Sequence, residues 1–507
     1  MNITTPALEI DQRVAVLNSL LTTPHRELQK VYDFHVQLVN NDPLFYVRLA
    51  AWYNKNGEVR DHKEMFIICL ILSTFEGHRD VGLAMARELP PYQLARVVDF
   101  ISGKHINKVT KTTVGKKTTY TKSKEKFGLF KNLPRSLKTE VERYLREREQ
   151  DDVWFDSSAV SSKKDLKRFY GLFRIKPSDR AQAILFDNKP PEGSTAAQVK
   201  LLAKTVDPTE QAKLIIENKI PYRVASTVIS AMTPTILLAL IEVMSPQELI
   251  NNMGSLNKRG VMDNPDLKAK VEEKLAKAKT NKRVSALKAS EAIKAGNLSE
   301  DLARKLEDVA DAKLKSKGRI TKSTAILVDC SGSMSTAIEV GKRLGSVISA
   351  VMDAQLYVKC FNGLSYSITV PKKPDFAEWE RAFNGIKANG NTSCGVGIVH
   401  LQKNNERVEQ IIMITDEGEN ASPRFYTSLV DYQKFVGFPV KVIFIKVGRA
   451  SNQLEEMCKR NDIEYEVIEF GGDYFSLPNI IPYLTKGSRT ELLMEILDWK
   501  LPQRKAS

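Results

Sequence analysis

The chain has 507 residues, too many for one hydrophobic core, so two or three domains are expected. Its 76 Lys and Arg against 61 Asp and Glu leave a net charge of +15, which points to an acidic partner. Five scattered cysteines (Cys69, Cys330, Cys360, Cys394 and Cys458) with no C-x-x-C spacing exclude a disulfide framework and fit reduced thiols in a cytosol. The opening Met-Asn-Ile-Thr-Thr-Pro has no basic-then-apolar signal region. The longest apolar stretch, residues 66–75, is half a membrane span and contains Ser73 and Thr74. A soluble cytoplasmic protein is expected, with no membrane partner and no secreted adhesive role.

The charge is unevenly spread. From Ser323 onward lie 21 of the 76 basic residues and 22 of the 61 acidic ones, leaving 55 and 39 in the first 322 residues. The whole basic excess therefore sits in the N-terminal part.

Residues 11–217 show helical periodicity in short pieces punctuated by Pro and polar turns. Val14, Leu17 and Leu21 open one helix, and Val31, Phe34, Leu38 and Val39 a second. Leu44, Val47, Leu49, Ala50 and Trp52 mark a third, Phe66, Ile67, Leu70, Ile71 and Phe75 a fourth. Leu83, Met85 and Leu89, then Leu94, Val97, Val98 and Ile101, continue the series. Helix after short helix, with almost no strand signal, predicts a stack of HEAT-like helical pairs.

Between residues 104 and 135 the character changes. Lys104, Lys108, Lys111, Lys116, Lys117, Lys122, Lys124, Lys126, Lys131 and Arg135 face one acid, Glu125, with threonines, glycines and Tyr120 interspersed. This reads as a loop, either solvated or in contact with nucleic acid. The second reading gains from the helix that follows, where Lys163, Lys164, Lys167 and Arg168 precede Arg174 and Lys176. Lys164, Lys167 and Arg168 share one helix face, and Leu166, Phe169 and Tyr170 can pack or stack. Basic residues interleaved with aromatics suit single-stranded nucleic acid, which needs phosphate neutralisation and flat faces for its bases.

Ile220-Pro221-Tyr222 leads into an apolar helical pair broken by Pro221 and Pro234. Residues 268–322 are rich in Lys, Ala and Glu with few large apolar side chains, and are expected to be mostly solvated or binding surface. Lys315, Ser316, Lys317, Gly318 and Arg319 form a polar hinge. A boundary between residues 322 and 323 follows, giving a helical module at 1–322 and a second domain at 323–507.

The second domain opens with Thr-Ala-Ile-Leu-Val, an apolar strand that ends at Asp329 and is followed by Cys330, Ser331, Gly332 and Ser333. Ile338, Leu344, Val347, Ile348 and Val351 then keep helical spacing. A strand, an oxygen-rich turn and a helix in series is how an α/β sheet presents ligands at its carboxyl edge. One carboxylate with hydroxyls suits a hard cation such as Mg²⁺. Gly390, Asn391 and Thr392 form a polar turn before another helix, and a second strand from Gln410 to Thr415 ends at Asp416.

Asp329, Ser331, Ser333, Thr392 and Asp416 resemble, residue by residue, the metal-ion-dependent adhesion site of a von Willebrand factor A domain. The resemblance implies a doubly wound sheet of strand order 3-2-1-4-5-6, with hydroxyl ligands on Mg²⁺ or another divalent cation and the aspartates acting mostly through water. Asn391 departs from the commoner second glycine and leaves Thr392 in place.

Over nearly the whole chain the order of features resembles the Ro ribonucleoprotein family. The resemblance is carried by Asp42-Pro-Leu-Phe-Tyr-Val-Arg-Leu-Ala, Glu64-Met-Phe-Ile-Ile-Cys-Leu-Ile-Leu, Leu133-Pro-Arg-Ser-Leu-Lys, Lys164-Asp-Leu, Ile220-Pro-Tyr, Ile250-Asn-Asn-Met-Gly-Ser-Leu and Val261-Met-Asp-Asn-Pro. It implies a ring of HEAT-like repeats (the TROVE module) joined to the A-like domain, acting as a monomer. Implied partners are small non-coding RNA on the outside of the ring and single-stranded 3′ ends of defective RNA in its hole, for RNA quality control or scaffolding. A protein such as an exonuclease would donate an acid to the metal. The aromatic-basic segment of the family before Lys164 is replaced here by Asp151-Asp-Val-Trp-Phe-Asp.

No Walker A pattern follows a strand, no H-E-x-x-H occurs, and no base is placed beside Ser331 or Ser333, so no enzyme is expected. His35 and His400 are read as structural. The competing class is an A-domain adaptor that delivers protein substrates to a AAA-type ATPase or chelatase. The basic excess of the helical part favours RNA, which a protein-docking solenoid does not require.

Overall fold

The computed structural model describes residues 13, 28–57, 60–114, 117–281, 284, 288–289, 292–293, 298–315, 318–372, 376–448, 450–461, 463, 465–470, 477, 480–481, 484 and 489–504. Within these, the side chains of 107–114, 117–122, 314, 376–377 and 489–491 lie outside the description. The chain divides into two compact units, discontinuous in sequence. One is built on Arg26–Leu249, Ser255–Lys274 and Ile496–Ser507, the other mainly on Leu275–Glu495. Residues 275–322 thus cluster with the sheet they precede, and the last residues with the helices.

The helical unit opens with α1 (Leu28–Asn41), α2 (Pro43–Asn56), α3 (Arg60–Leu72), α4 (His78–Arg87) and α5 (Pro91–Ser102). It continues through α6 (Arg135–Glu149), α7 (Asp152–Phe173), α8 (Thr195–Lys204), α9 (Pro208–Asn218), α10 (Tyr222–Val228), α11 (Pro234–Val243), α12 (Pro246–Lys258) and α13 (Pro265–Ala278). Several starts share one device, a proline at the first helical position behind a capping side chain. Asp42 accepts from the Phe45 amide at 3.0 Å, Asp207 from Glu210 at 2.8 Å and Ser245 from Glu248 at 3.2 Å. Helix α3 is buried almost all round, with Met65, Phe66, Ile67, Ile68, Leu70 and Ile71 inside, and packs on α1, α2, α4 and α5.

Two expectations are corrected here. Residues 104–127 form an antiparallel ribbon, β1 (Lys104–Val114) with β2 (Lys117–Phe127), in place of a loop. Its richness in β-branched residues (Val109, Thr110, Thr112, Thr113, Val114, then Thr118, Thr119, Thr121) favours the pairing, which the lysines obscure. Nor are the sparse apolar residues of 268–322 solvated. Leu302, Leu306 and Val309 of α14 (Glu300–Lys315) are fully buried, as are Val271 and Ala278 of α13.

The second unit holds a six-stranded sheet of β3 (Thr324–Asp329), β4 (Leu356–Phe361), β5 (Ser365–Ile368), β6 (Gln410–Thr415), β7 (Lys441–Lys446) and β8 (Tyr465–Glu469). Their order, β5-β4-β3-β6-β7-β8, is the 3-2-1-4-5-6 order expected, all parallel except the edge strand β5. Strands β3, β6 and β7 are buried along their whole length, which explains their unbroken apolar runs. Helix α15 (Ser335–Ser349) follows β3, α16 (Phe376–Ala382) and α17 (Val396–Lys403) lie between β5 and β6, and α18 (Phe425–Val436), α19 (Gln453–Arg460) and α20 (Arg489–Leu497) follow. All five cysteines are free and buried. No described helix is long and apolar enough to cross a membrane.

Candidate metal centre and basic surfaces

Because β3 and β6 are neighbours whose connections run to opposite sides, their carboxyl ends form the switch point of the sheet. Asp329 and Asp416 stand at those two ends. Asp329 is fully buried; its Oδ1 accepts from the Ser331 amide at 2.8 Å and its Oδ2 from the Thr415 hydroxyl at 2.7 Å. Ser333 Oγ donates to Asp416 Oδ2 at 3.4 Å, and Asp416 Oδ1 accepts from the Gly418 amide at 3.0 Å.

The turn carrying Thr392 is stapled to the serine turn by main-chain bonds. The Asn389 amide donates to Cys330 O at 2.8 Å, and the Gly332 amide to Gly390 O at 3.2 Å. Gly390 has φ +77°, a conformation that favours glycine. Asn362 on the far side of β4 donates to Asn389 Oδ1 at 2.8 Å, and the Thr392 amide donates to Asn420 Oδ1 at 2.8 Å. The Asn391 substitution thus leaves Thr392 anchored.

This donor set fits a divalent cation. Burial raises the pKa of Asp329, and the charge of Asp416 raises it further, so two carboxylates repel each other here. Among the described residues neither has an ion-pair partner. No group of three His, Cys, Asp or Glu gathers anywhere among the described residues; the oxygens available here are two carboxylates and three hydroxyls.

A supporting layer behind the turn was not foreseen. Glu417, next to Asp416, is fully buried with φ +62°, and its Oε2 accepts from the Leu454 and Glu455 amides at the start of α19, at 3.0 and 3.3 Å. Burial pushes its carboxyl up to about 7 against the opposing effect of Lys446, 3.6 Å away. Glu419 accepts from the Phe425 amide at 2.7 Å. The run Asp-Glu-Gly-Glu-Asn after an apolar strand was the available signal.

The basic candidates separate into three kinds. Lys163 and Lys164 are exposed on α7, and the Lys163 pKa is lowered by partial burial and then by Lys167 and Lys200, so three like charges converge. Lys167 Nζ lies 5.2 Å from the Phe186 ring centre. Arg174 is exposed at the end of the helix, with φ +53°. By contrast Arg168 is ion-paired with Asp99, and Lys104 meets the same carboxylate at 2.7 Å. Lys108, Lys111 and Lys117 occupy positions in the ribbon whose side chains are outside the description, and Lys116 is outside the described residues.

Of the two readings left open for the apolar residues of this helix, packing is the one observed. Leu166, Phe169 and Tyr170 are buried, and the Tyr170 hydroxyl donates to Glu149 at 2.7 Å. Helix α7 breaks at Ser162, and the acids before it also have structural partners. Asp151 caps it through the Trp154 amide at 2.9 Å, while Asp156 pairs with Arg180 at 3.0 Å and accepts from the Thr195 amide at 2.8 Å. His35 is structural as expected, fully buried and bonded to Tyr46 and His62 at 2.9 Å each.

No protein-family model and no curated protein matches the sequence. Solved structures do match. The Ro (RSR) protein of Deinococcus radiodurans aligns over 90% of this chain and 93% of its own, with a TM-score of 0.56 and 15% identity. A von Willebrand factor type A structure from Catenulispora acidiphila covers 35% of this chain and 43% of its own, at TM-score 0.25 and 17% identity. Proximal thread matrix protein 1 of the mussel byssus covers 33% and 48%, at TM-score 0.27 and 15% identity. The first likeness shows the fold, a helical-repeat region followed by an α/β domain.

Proposed function

From a chain that shares its fold with a Ro protein over 90% of its length, we propose an RNA-binding component of ribonucleoprotein particles. Its partners in this proposal are small structured RNA and the single-stranded 3′ ends of defective RNA, held for quality control or scaffolding. The observation that carries it is the convergence of Lys163, Lys167 and Lys200 on a helical unit that precedes a nearly neutral sheet domain. Lys163, Lys167 and Lys200 repel one another where they converge, and a polyanion relieves that repulsion while releasing counterions.

In the same proposal Asp329, Ser331, Ser333, Thr392 and Asp416 hold Mg²⁺ or another divalent cation for recognition. When bound, the cation supplies an electrophilic position for a carboxylate from a partner protein such as an exonuclease. Asp329 and Asp416 orient the hydroxyls, and Asn362 and Asn420 fix the turn that carries Thr392. The protein performs no chemistry of its own and acts as a cytoplasmic monomer. The test is whether the purified chain carries RNA, seen as a 260-nm absorbance excess removed by ribonuclease. A protein that carries none, and binds no single-stranded RNA at low salt, would falsify the proposal.

A further inference from the structure

The ribbon and the turn at its foot present a surface distinct from the lysines of α7. Strand alternation with the observed register puts His105 on one face with its partner Lys126 and with Lys124, two residues along β2. The one acid of residues 104–127, Glu125, pairs with Ile106 and so belongs to the opposite face. The face of His105, Lys124 and Lys126 is therefore the one opposite Glu125. His105, Lys124 and Lys126 are exposed.

At the foot of that face is Phe130, an aromatic residue with φ +52° and 44% exposure. Left-handed backbone is rare for a bulky side chain and persists only where the surroundings impose it. Here they do: the Leu129 amide donates to Phe100 O at 2.7 Å and the Lys131 amide to Ile101 O at 2.9 Å, pinning both neighbours. Gly103 completes the seat, since a Cβ there would stand 2.6 Å from the Phe130 ring. The His105 ring sits 5.4 Å from the Phe130 ring, steeply inclined, and Lys126 Nζ lies 5.7 Å from its centre. A ring held in place, half exposed and flanked by two cationic or ionisable groups has what a nucleobase and its phosphate require.

We propose that Phe130 is a stacking platform for an unpaired nucleobase of a structured RNA, and that Lys124 and Lys126 contact the adjoining phosphates. This rests on the RNA-binding proposal above and adds a site to it. The experiment uses the full chain and two RNA hairpins, one blunt and one with a single unpaired 3′ nucleotide, 2-aminopurine, whose fluorescence falls on stacking. Phe130→Leu keeps an apolar side chain over Gly103 and removes the flat face. It should lose the quench and bind the overhang RNA about 5- to 20-fold more weakly, with the blunt hairpin unchanged. Phe130→Tyr should restore both. Lys124→Ala with Lys126→Ala, which does not disturb the Phe130 seat, should weaken both hairpins and flatten the salt slope by about 1 to 2 units. If Phe130→Leu and the lysine pair both bind like the parent with the quench intact, the site is overturned and RNA binding elsewhere stands. A parent chain that binds neither hairpin overturns both proposals, and displacement of the overhang RNA by polyglutamate with equal potency makes the surface a protein-docking one.

Discussion

At the carboxyl edge of the sheet, every candidate ligand is tied to the backbone or to another candidate. Asp329 is held by Ser331 and Thr415, Asp416 by Ser333 and Gly418, and Thr392 by Asn420. On α7 Lys163 and Lys164 stand in solvent, while Arg168 is held by Asp99. The contrast reflects what each ligand demands. A small hard cation discriminates by geometry, so its oxygens must be placed before it arrives. A polyanion is recognised through its charge density, so its contacts can be long, flexible and interchangeable.

The largest expected effect breaks the ordered side of this contrast. Asp329→Ala with Ser331→Ala should weaken Mg²⁺ binding at least about 100-fold, since it removes a carboxylate and a hydroxyl together. Titration calorimetry would read this, with RNA affinity of the full chain staying within a few-fold. A collapse of RNA binding in a folded variant would make the metal an RNA ligand.

The helical unit has an interlocked polar cluster of its own, which sharpens the comparison. Buried Glu140 accepts from Arg504 at 2.7 Å and from Arg87 at 3.2 Å, and Arg87 also meets Glu147. Arg504→Met should lower stability by about 2 kcal/mol, with Arg87 keeping one contact. Urea midpoints would show it, and no shift would mean that Arg504 is only a surface ornament. The exposed side should respond more gently. Lys163→Ala, Lys167→Ala and Lys200→Ala together should cost about tenfold in affinity for single-stranded RNA and flatten the salt slope by about 2 units. They should leave the melting temperature nearly unchanged.

The smallest effect is in pH. Burial, and then His62, hold the His35 imidazole well below its ordinary range, so the native state refuses a proton that the unfolded chain accepts. Stability should therefore be intact above pH ~6.5 and fall below it, by at most about 1.4 kcal/mol per pH unit for this residue. His35→Gln should remove that part of the slope between pH 6.5 and 5.5.

The placing of Asp329 and Asp416 at neighbouring strand ends was legible because both are fixed by spacing against two apolar strands, and the strand order followed from the same resemblance. The supporting acids Glu417 and Glu419 were missed because their role depends on α19 and on the Phe425 amide, neither near them by periodicity. The ribbon was missed for another reason: lysines at alternate positions read as a charge run, while the β-branched residues between them carried the pairing. For Phe169 and Tyr170 the sequence left packing and stacking both open, and helical geometry, which turns them into the core, decides for packing. Phe130, whose ring is exposed, followed a glycine and a leucine with no helical or strand pattern to mark it.

The closing segment of the helical unit bears on how the chain is made. Arg48 donates to Trp499 O at 2.6 Å, and Arg504 reaches Asp80 at 3.3 Å as well as Glu140. These partners emerge from the ribosome after the entire sheet has been synthesised. At bacterial-type elongation rates of about 5 to 20 residues per second, the helices up to α11 wait roughly 10 to 50 s for their last strap. During that interval Glu140 lacks the nearest of its three arginines, with Arg87 and Arg143 left beside it, and Arg48 lacks the Trp499 carbonyl. The strands of the sheet, synthesised before that segment, pair without it.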